Sequence, residues 1–211
     1  ISQTAPDDKS RWFQILDANN TPDQEAAGWI QPWSELLSPI DRRDNAPLKG
    51  ISVKHPDDIS AVLDVALDQN YQFLFLDATG GNADWASELM NQPRFELLSE
   101  TVIEMRRRKK EEALVLIYSG GVRSGTDAAR LIALGANAVV YGVAAALALG
   151  GEIGQSQIEW RSDRAPGERT DGLTSILNAH AGEASMMARC TGKTCLHNLE
   201  PEDLRSVTLA T

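Results

Sequence analysis

Two glycine-containing turns each follow an apolar, partly β-branched run in the second half of the chain. Gly120 and Gly121 follow residues 114–118, and Gly142 follows residues 138–141. Glycine lets the backbone approach a ligand closely, and the N-terminus of the next helix presents N–H groups that favour an anion. Paired turns of this kind bind phosphate after the last two strands of a (β/α)8 barrel. The spacing therefore predicts a phosphate site, although tight strand-to-helix turns alone would also explain these glycines.

Charged side chains follow two earlier strands of the predicted sheet. Lys54 follows residues 50–53, and Asp77 follows residues 73–76. The carboxyl ends of barrel strands form the edge where catalytic side chains gather. Lys54 is therefore a candidate catalytic residue, or a strand-end lysine in a salt bridge. Asp77 is a candidate for binding a substrate amine or for capping its loop, and the pattern slightly favours capping.

Other polar residues near these turns have simpler explanations. Ser124 and Asp127 have the spacing of a helix capping box, so we assign both to the start of the next helix. His180 and Glu183 show no metal-binding spacing, and a surface position on a helix explains them. Arg123 follows the glycine pair after one intervening residue, and we expect it to add a positive charge to the phosphate or flavin contact.

The two cysteines predict neither a disulfide framework nor a metal site. A zinc site built from Cys190, Cys195 and His197 would lack a fourth ligand, so we expect free thiols and no metal. No signal peptide is recognised before the fold, and the expected location is the reducing cytoplasm.

Four strands alternating with helices must position the candidate residues. The strands are predicted at residues 50–55, 73–77, 114–119 and 138–142, and the helices at residues 56–68, 95–110 and 173–188, with a further helix after the first glycine turn and a short one from Pro201. Short right-handed crossovers require these strands to be adjacent and parallel. The predicted fold class is α/β, a TIM-type barrel of which the chain supplies the C-terminal half as four βα units.

Three regions are predicted along the chain. Residues 1–48 form an irregular segment rich in Trp and Pro, mostly loop, with a short helix near residues 23–30. Residues 49–151 form the four βα units with the phosphate loops, and residues 152–211 form a helical tail. We expect the tryptophans of the first region to pack against the helices or an open sheet edge, and these are Trp12, Trp29 and Trp33.

A closed barrel of this type has eight strands, so the predicted four leave it incomplete. Either another chain or a missing segment supplies the rest, or the four strands form an open sheet that dimerises. The net charge of −10 argues against a nucleic-acid partner, and no apolar run is long enough to span a membrane. A small-molecule substrate is the expected ligand class.

Residues 119–127 and 141–151 resemble the FMN-binding synthase domain of the glutamate synthase family. Residues 51–55 and 187–195 resemble an earlier strand and the tail of the same domain, so the resemblance covers roughly residues 48–210. It implies FMN as the cofactor and reductive formation of glutamate from 2-oxoglutarate and an amino donor. Larger members of the family hold an iron–sulfur cluster through three cysteines, whereas this chain has two.

The resemblance also implies roles for individual residues. The flavin ring would lie near Lys54, where a cation stabilises the charge of the reduced ring, and the substrate would lie toward Asp77 and Gly81. The catalytic candidates are thus Lys54 and Asp77. The implied cofactor-binding residues are Lys54, Ser119, Gly120, Gly121, Arg123, Tyr141, Gly142, Val143 and Ala144.

Two functions of other classes stay open at this point. The chain could be a non-catalytic half-barrel that binds a partner and has an incomplete flavin site. It could also be a phosphate-handling lyase or isomerase, in which Lys54 would form a Schiff base.

Overall fold

Parallel strands in chain order form the main sheet of the computed structural model, which describes residues 13–16, 22–23, 25–35, 48–79, 93–154, 158–160 and 163–205. Within these ranges the strands are β1 (Phe13–Ile15), β2 (Gly28–Pro32), β3 (Leu48–Val53), β4 (Phe73–Asp77), β5 (Val115–Ser119), β6 (Ala138–Val140), β7 (Gly151–Ile153) and β8 (Ile158–Trp160). The α-helices are α1 (Ile59–Asp68), α2 (Phe95–Arg107), α3 (Gly125–Ala133), α4 (Val143–Ala148) and α5 (Pro166–Cys190).

Six strands pair side by side in the order β1-β2-β3-β4-β5-β6, and every pair is parallel. The prediction that β3, β4, β5 and β6 are adjacent and parallel in that order is confirmed. A closed TIM-type barrel has eight strands, so the described residues form a partial barrel in which β1 and β6 are the edge strands. The predicted fold class is therefore confirmed, with two more strands than the four expected.

The two additional strands, β1 and β2, lie in the segment predicted to be irregular. The short helix predicted near residues 23–30 is wrong, because Gly28–Pro32 is a strand that pairs with β3. β1 has only three residues and β2 ends at a proline, so neither carries a recognisable alternation. Pairing with a neighbouring strand, rather than local preference, gives these residues their extended conformation.

Two of the three tryptophans in this segment are packed as expected. Trp29 is buried with Leu16 and Ala26, and its indole N–H donates to the carbonyl oxygen of Asp23 at 2.8 Å. Trp33 packs against the main core from a partly buried position. Trp12 lies outside the described residues.

The main core lies between one face of the sheet and helices α1 and α2. α1 buries residues spaced as one helical stripe, and these are Ile59, Val62, Leu63 and Ala66. The facing strand residues include Ile51, Val53, Leu74, Leu76, Leu116 and Tyr118. The opposite face of the sheet is also apolar, with Ile30, Phe73 and Phe75 buried there. Apolar residues on both faces are typical of parallel strands in a barrel.

Two helix boundaries and the tail differ from the prediction. α2 ends at Arg107 rather than near residue 110, and Lys109 has a left-handed φ of 55° that a helix does not continue through. In the tail, residues 151–153 and 158–160 form an antiparallel hairpin that the sequence did not predict. α5 starts at Pro166, earlier than residue 173, and Ala165 donates its N–H to the Glu168 carboxylate. No described helix is both long and apolar enough to cross a membrane.

Burial of two tyrosines predicts a measurable pH dependence. Tyr71 donates its hydroxyl to Gln31 at 2.8 Å and Tyr118 donates its own to the carbonyl oxygen of Arg94 at 3.0 Å. Burial raises the pKa of both phenols from 10.0 to about 12. Since the folded-state pKa exceeds the unfolded one, their stabilising contribution is complete below pH 10 and is lost as the pH rises toward about 12.

We expect ultraviolet titration at about pH 11 to show these phenols mostly neutral in the folded protein and mostly ionised after unfolding in urea. Tyr118→Phe should remove one of the late-ionising groups. A folded protein in which all three tyrosines titrate near pH 10 would contradict the buried positions of Tyr71 and Tyr118.

Candidate functional site

The candidate residues lie at one edge of the sheet, where strands β3 to β6 end. Asp77 pairs with Ser119 across β4 and β5, and Ser119 pairs with Val140 across β5 and β6. Lys54 follows β3 directly, and the two glycine turns follow β5 and β6. Parallel strands bring these positions together although they are distant in sequence. The structure therefore places the catalytic and cofactor-binding candidates, all of which are among the described residues, in strand ends, turns or a helix start at this carboxyl edge.

Lys54 and Asp77 form an ion pair at this edge. The Lys54 Nζ lies 3.6 Å from the Asp77 Oδ2, and the lysine side chain is 45% exposed. Asp77 Oδ1 accepts hydrogen bonds from the Thr79 N–H at 3.2 Å and from the Thr79 hydroxyl at 2.5 Å. Asp77 therefore caps its own turn, the alternative favoured by the sequence, and also holds the lysine. Gly81, the other residue expected near a substrate, lies outside the described residues.

The first glycine turn needs glycine for conformational and steric reasons. Gly120 and Gly121 have φ angles of 128° and 68°, which side chains disfavour. A Cβ at Gly120 would lie 2.7 Å from the carbonyl carbon of Ala78, in the turn after β4. Ala78 also donates its N–H to the Ser119 carbonyl oxygen at 2.8 Å. Gly120 thus packs two strand-end turns against each other, and Gly121 continues the turn toward α3.

The start of α3 is capped by one of the two residues that the sequence assigned to it. Ser124 Oγ accepts the Asp127 N–H at 3.1 Å. Asp127 is buried, and its Oδ2 accepts the Arg123 N–H at 3.2 Å and lies 3.6 Å from the Arg123 Nε. Arg130 approaches Asp127 Oδ1 at 3.8 Å. The cap predicted for Ser124 is confirmed, whereas the Asp127 carboxylate accepts the Arg123 N–H and is compensated by two arginines.

Glu183 occupies the N-terminus of α3, a contact that the sequence did not indicate. Its Oε2 accepts the Gly125 N–H at 2.9 Å, and its Oε1 accepts the Thr126 hydroxyl. The hydrogen bond from the Thr126 hydroxyl, with the backbone N–H of Gly125, lowers the pKa of Glu183. The Gly125 N–H at the start of α3 is therefore bonded to Glu183, and Glu183 is a partly buried residue with a tertiary contact as well as a position on a surface helix. No local pattern relates Glu183 to a residue 58 positions away.

Tyr141 links the second turn to the first. Its hydroxyl donates to the Ser124 carbonyl oxygen at 3.3 Å. Burial raises the pKa of Tyr141, and the negative charges of Glu183 and Asp127 act in the same direction. Gly142, with φ −88° and ψ −93°, precedes α4, which begins at Val143. The backbone segments that follow β5 and β6 are therefore in direct contact.

The cysteines of the tail are not part of this edge. Cys190 and Cys195 are free and exposed. Across the described part of the chain, no three His, Cys, Asp or Glu side chains are placed to hold a metal ion.

Comparison with known sequences gives two matches. The profile of the FMN-dependent dehydrogenase family matches residues 93–159. A protein of Rhizobium meliloti (strain 1021), described as a glutamate synthase large subunit-like protein, is 30% identical over 160 residues. That match covers 62% of this chain and 36% of the relative, so the chain spans little more than a third of the relative's length.

Solved structures share the fold at low sequence identity. A flavocytochrome b2 variant with benzoylformate has a TM-score of 0.55 at 22% identity, covering 77% of this chain and 37% of that one. DHODH from Eimeria tenella, in complex with ferulenol, has a TM-score of 0.52 at 14% identity, covering 87% and 56%. An active mutant of (S)-mandelate dehydrogenase has a TM-score of 0.52 at 19% identity, covering 75% and 36%.

The donors at the carboxyl edge fit a flavin mononucleotide. Gly120 and Gly121 carry no side chain between the turn and a ligand, and Arg123 adds positive charge near this turn. Lys54 adds a second positive charge to the same sheet edge, at the end of β3. The carboxylates of Asp77 and Asp127 are already paired with cations, which reduces their repulsion of a phosphate. The profile match indicates an FMN-binding domain, with FMN as its cofactor, and the relative shows that this domain is similar to the glutamate synthase family. The solved structures share the fold of the domain.

Proposed function

We propose that this chain is part of an FMN-dependent oxidoreductase that forms glutamate from 2-oxoglutarate and an amino donor in the cytoplasm. The observation that carries the proposal is the position of the family match. Residues 93–159 include both glycine turns and the helices α3 and α4 that follow them. The description of the Rhizobium meliloti relative supports the choice of glutamate chemistry over other flavin reactions.

The backbone of the two turns and the Arg123 guanidinium would hold the FMN phosphate. The proposed contacts are Ser119, Gly120, Gly121, Arg123, Tyr141, Gly142, Val143 and Ala144. Because Glu183 already accepts the Gly125 N–H, we place the phosphate on the strand side of the first turn rather than at the first amide of α3. Several backbone amides contribute more than one cation that is about one-third exposed, so Arg123 assists the turn rather than replacing it.

Lys54 would act at the ring edge of the cofactor. FMN, when bound, supplies a ring that accepts and releases a hydride. The Lys54 ammonium lies at the carboxyl edge, where a fixed positive charge favours negative charge developing on the ring or the substrate. Asp77 holds this ammonium at 3.6 Å and is itself fixed by Thr79, so we assign it a positioning role.

The open edges of β1 and β6 have a further implication for the complete protein. The described residues supply six strands of the main sheet, so a barrel of eight strands needs two more between these edges. We propose that another segment of the polypeptide, or a partner chain, supplies them. The chain spans 36% of the length of its curated relative, which leaves room for such a segment in proteins of this kind. Closure would shield a small substrate from water at the carboxyl edge.

An anaerobic half-reaction tests the proposed chemistry. The reduced flavoprotein, as the full-length polypeptide, should be reoxidised by 2-oxoglutarate in the presence of an amino donor and should yield glutamate. The oxidised flavoprotein should not be reduced by (S)-mandelate or another 2-hydroxy acid. Rapid reduction by a 2-hydroxy acid would replace the proposal with a hydroxy-acid dehydrogenase. A flavoprotein that reacts with neither substrate would favour the non-catalytic half-barrel.

A further inference from the structure

The tail helix α5 contacts both segments of the candidate phosphate site. At the first, the Glu183 carboxylate accepts the Gly125 N–H and the Thr126 hydroxyl. At the second, the His180 ring stacks on Tyr141, with ring centroids 4.9 Å apart and an interplanar angle of 35°. His180 and Glu183 are three residues apart and therefore share one face of α5.

Glu183 completes the hydrogen bonding at the start of α3. The first amides of a helix have no partner within the helix. Ser124 Oγ accepts one of them, from Asp127, and Glu183 accepts the one from Gly125. A carboxylate is also favoured at this end of a helix because of the helix dipole. Glu183 therefore fixes the beginning of α3, which continues directly from the first glycine turn.

Close packing makes this contact rigid. A Cβ at Gly125 would lie 2.1 Å from the His180 carbonyl oxygen and 2.7 Å from the Ala184 nitrogen. The two helix backbones thus approach each other only because residue 125 is glycine. The buried alanines of the two helices pack together beside this contact, and they are covered by leucines from the segment after α5; the alanines are Ala129, Ala133, Ala184 and Ala188, and the leucines are Leu196, Leu199 and Leu204. Such a surface leaves little freedom for α5 to slide along α3.

The second contact holds the turn after β6. Tyr141 donates its hydroxyl to the Ser124 carbonyl oxygen, while its ring is covered by His180. The Nδ1 of His180 is buried and has no hydrogen-bond partner among the residues that the structure describes. The imidazole therefore contributes at this position through its ring contact with Tyr141, which directly precedes Gly142.

We propose that Glu183 and His180 are positioning residues for the FMN phosphate, and that α5 sets the distance between the two glycine turns. This inference rests on the proposed FMN site. Glu183 acts through Gly125 and Thr126, and His180 acts through Tyr141. Glu183 also keeps a second anion away from the first amide of α3, which directs the phosphate to the turn formed by Gly120 and Gly121.

Two substitutions at Glu183 distinguish a positioning role of its hydrogen bonds from an electrostatic effect of its negative charge on the phosphate. Glu183→Ala removes the acceptor and should weaken FMN binding about tenfold. Glu183→Gln keeps an acceptor oxygen without the charge and should restore binding to within about threefold of the parent. Asp171→Asn removes one charge from an exposed position of the same helix and is the matched control. FMN dissociation constants are measured by flavin fluorescence on the full-length polypeptide.

Hydrogen exchange gives a readout that does not depend on flavin. The amides of residues 125–127 should exchange faster in Glu183→Ala than in Asp171→Asn, with or without FMN. His180→Ala should weaken FMN binding about threefold, and His180→Phe should restore it because the ring contact with Tyr141 is kept. This pair keeps the test decisive if Glu183→Ala does not fold.

The possible results distinguish the inference from the proposed function. Unchanged FMN affinity in both Glu183→Ala and His180→Ala would overturn the positioning role while leaving the FMN site intact. Tighter binding in both Glu183→Ala and Glu183→Gln would show repulsion of the phosphate instead of positioning. A parent protein that binds no FMN would overturn the proposed function, and the inference with it.

Discussion

Gly121→Val should abolish FMN retention, whereas Arg123→Ala should only weaken it. Gly121 has a φ of 68°, and a β-branched side chain is strongly disfavoured there. The side chain would also project from the turn that is proposed to hold the phosphate. Arg123 is about one-third exposed and already paired with Asp127, so its loss removes one of several contributions. The measurement is the flavin content of the full-length polypeptide after gel filtration.

Gly121→Asn is the control for backbone strain. Asparagine tolerates the left-handed region better than valine, so this variant should fold, yet it still places a side chain at the turn. We expect Gly121→Asn to retain native circular dichroism and to bind FMN at least about tenfold more weakly than the parent. If Gly121→Asn and Arg123→Ala both bound FMN as tightly as the parent, these glycines would be turn residues only.

Lys54→Met should slow the chemical step by about a hundredfold or more, the effect expected when a fixed stabilising charge is removed from an active site. Methionine keeps much of the length of the side chain and removes its charge. FMN content should change little, because the phosphate is held at the other two strand ends. Stopped-flow absorbance of the anaerobic flavin half-reactions measures the rate.

Asp77→Asn is the matched variant for the same ion pair. It removes the charge that holds the Lys54 ammonium at 3.6 Å but leaves an oxygen able to accept from Thr79. We expect a smaller loss of rate, about tenfold, because the lysine charge is still present but less fixed. An unchanged rate in Lys54→Met would assign Lys54 to a strand-end salt bridge without a catalytic role.

The sequence predicted the central strands because each carries a strong local signal. β4 is a continuous apolar run that ends at Asp77, and β5 is a similar run that ends at the glycine pair. β1 and β2 have no comparable signal, because β1 has only three residues and β2 contains a glycine, a glutamine and a proline with only two apolar residues. Their conformation depends on pairing between separate parts of the sequence, because β1 pairs with β2 and β2 pairs with β3. Tertiary pairing of this kind is not visible in a local window.

As with the strands, the sequence predicted only part of the candidate site. Strand-end positions such as Lys54 and Gly121 follow from the topology, because a parallel sheet brings them to one edge. The contact of Glu183 with Gly125 does not follow, since it depends on where a helix from the tail docks. The sequence favoured a capping role for Asp77. That Asp77 both accepts a hydrogen bond from Thr79 and forms an ion pair with Lys54 depends on the folded turn and was not predicted.

The absorbance spectrum of the natural full-length polypeptide, purified without added cofactor, tests the central claim most directly. The account predicts a flavin spectrum, and release of FMN in about equimolar amount on denaturation, identified by mass. Added FMN should lose fluorescence on binding to the cofactor-free protein. A colourless polypeptide that releases no flavin and leaves the fluorescence of added FMN unchanged would contradict the assignment of the glycine turns as an FMN site.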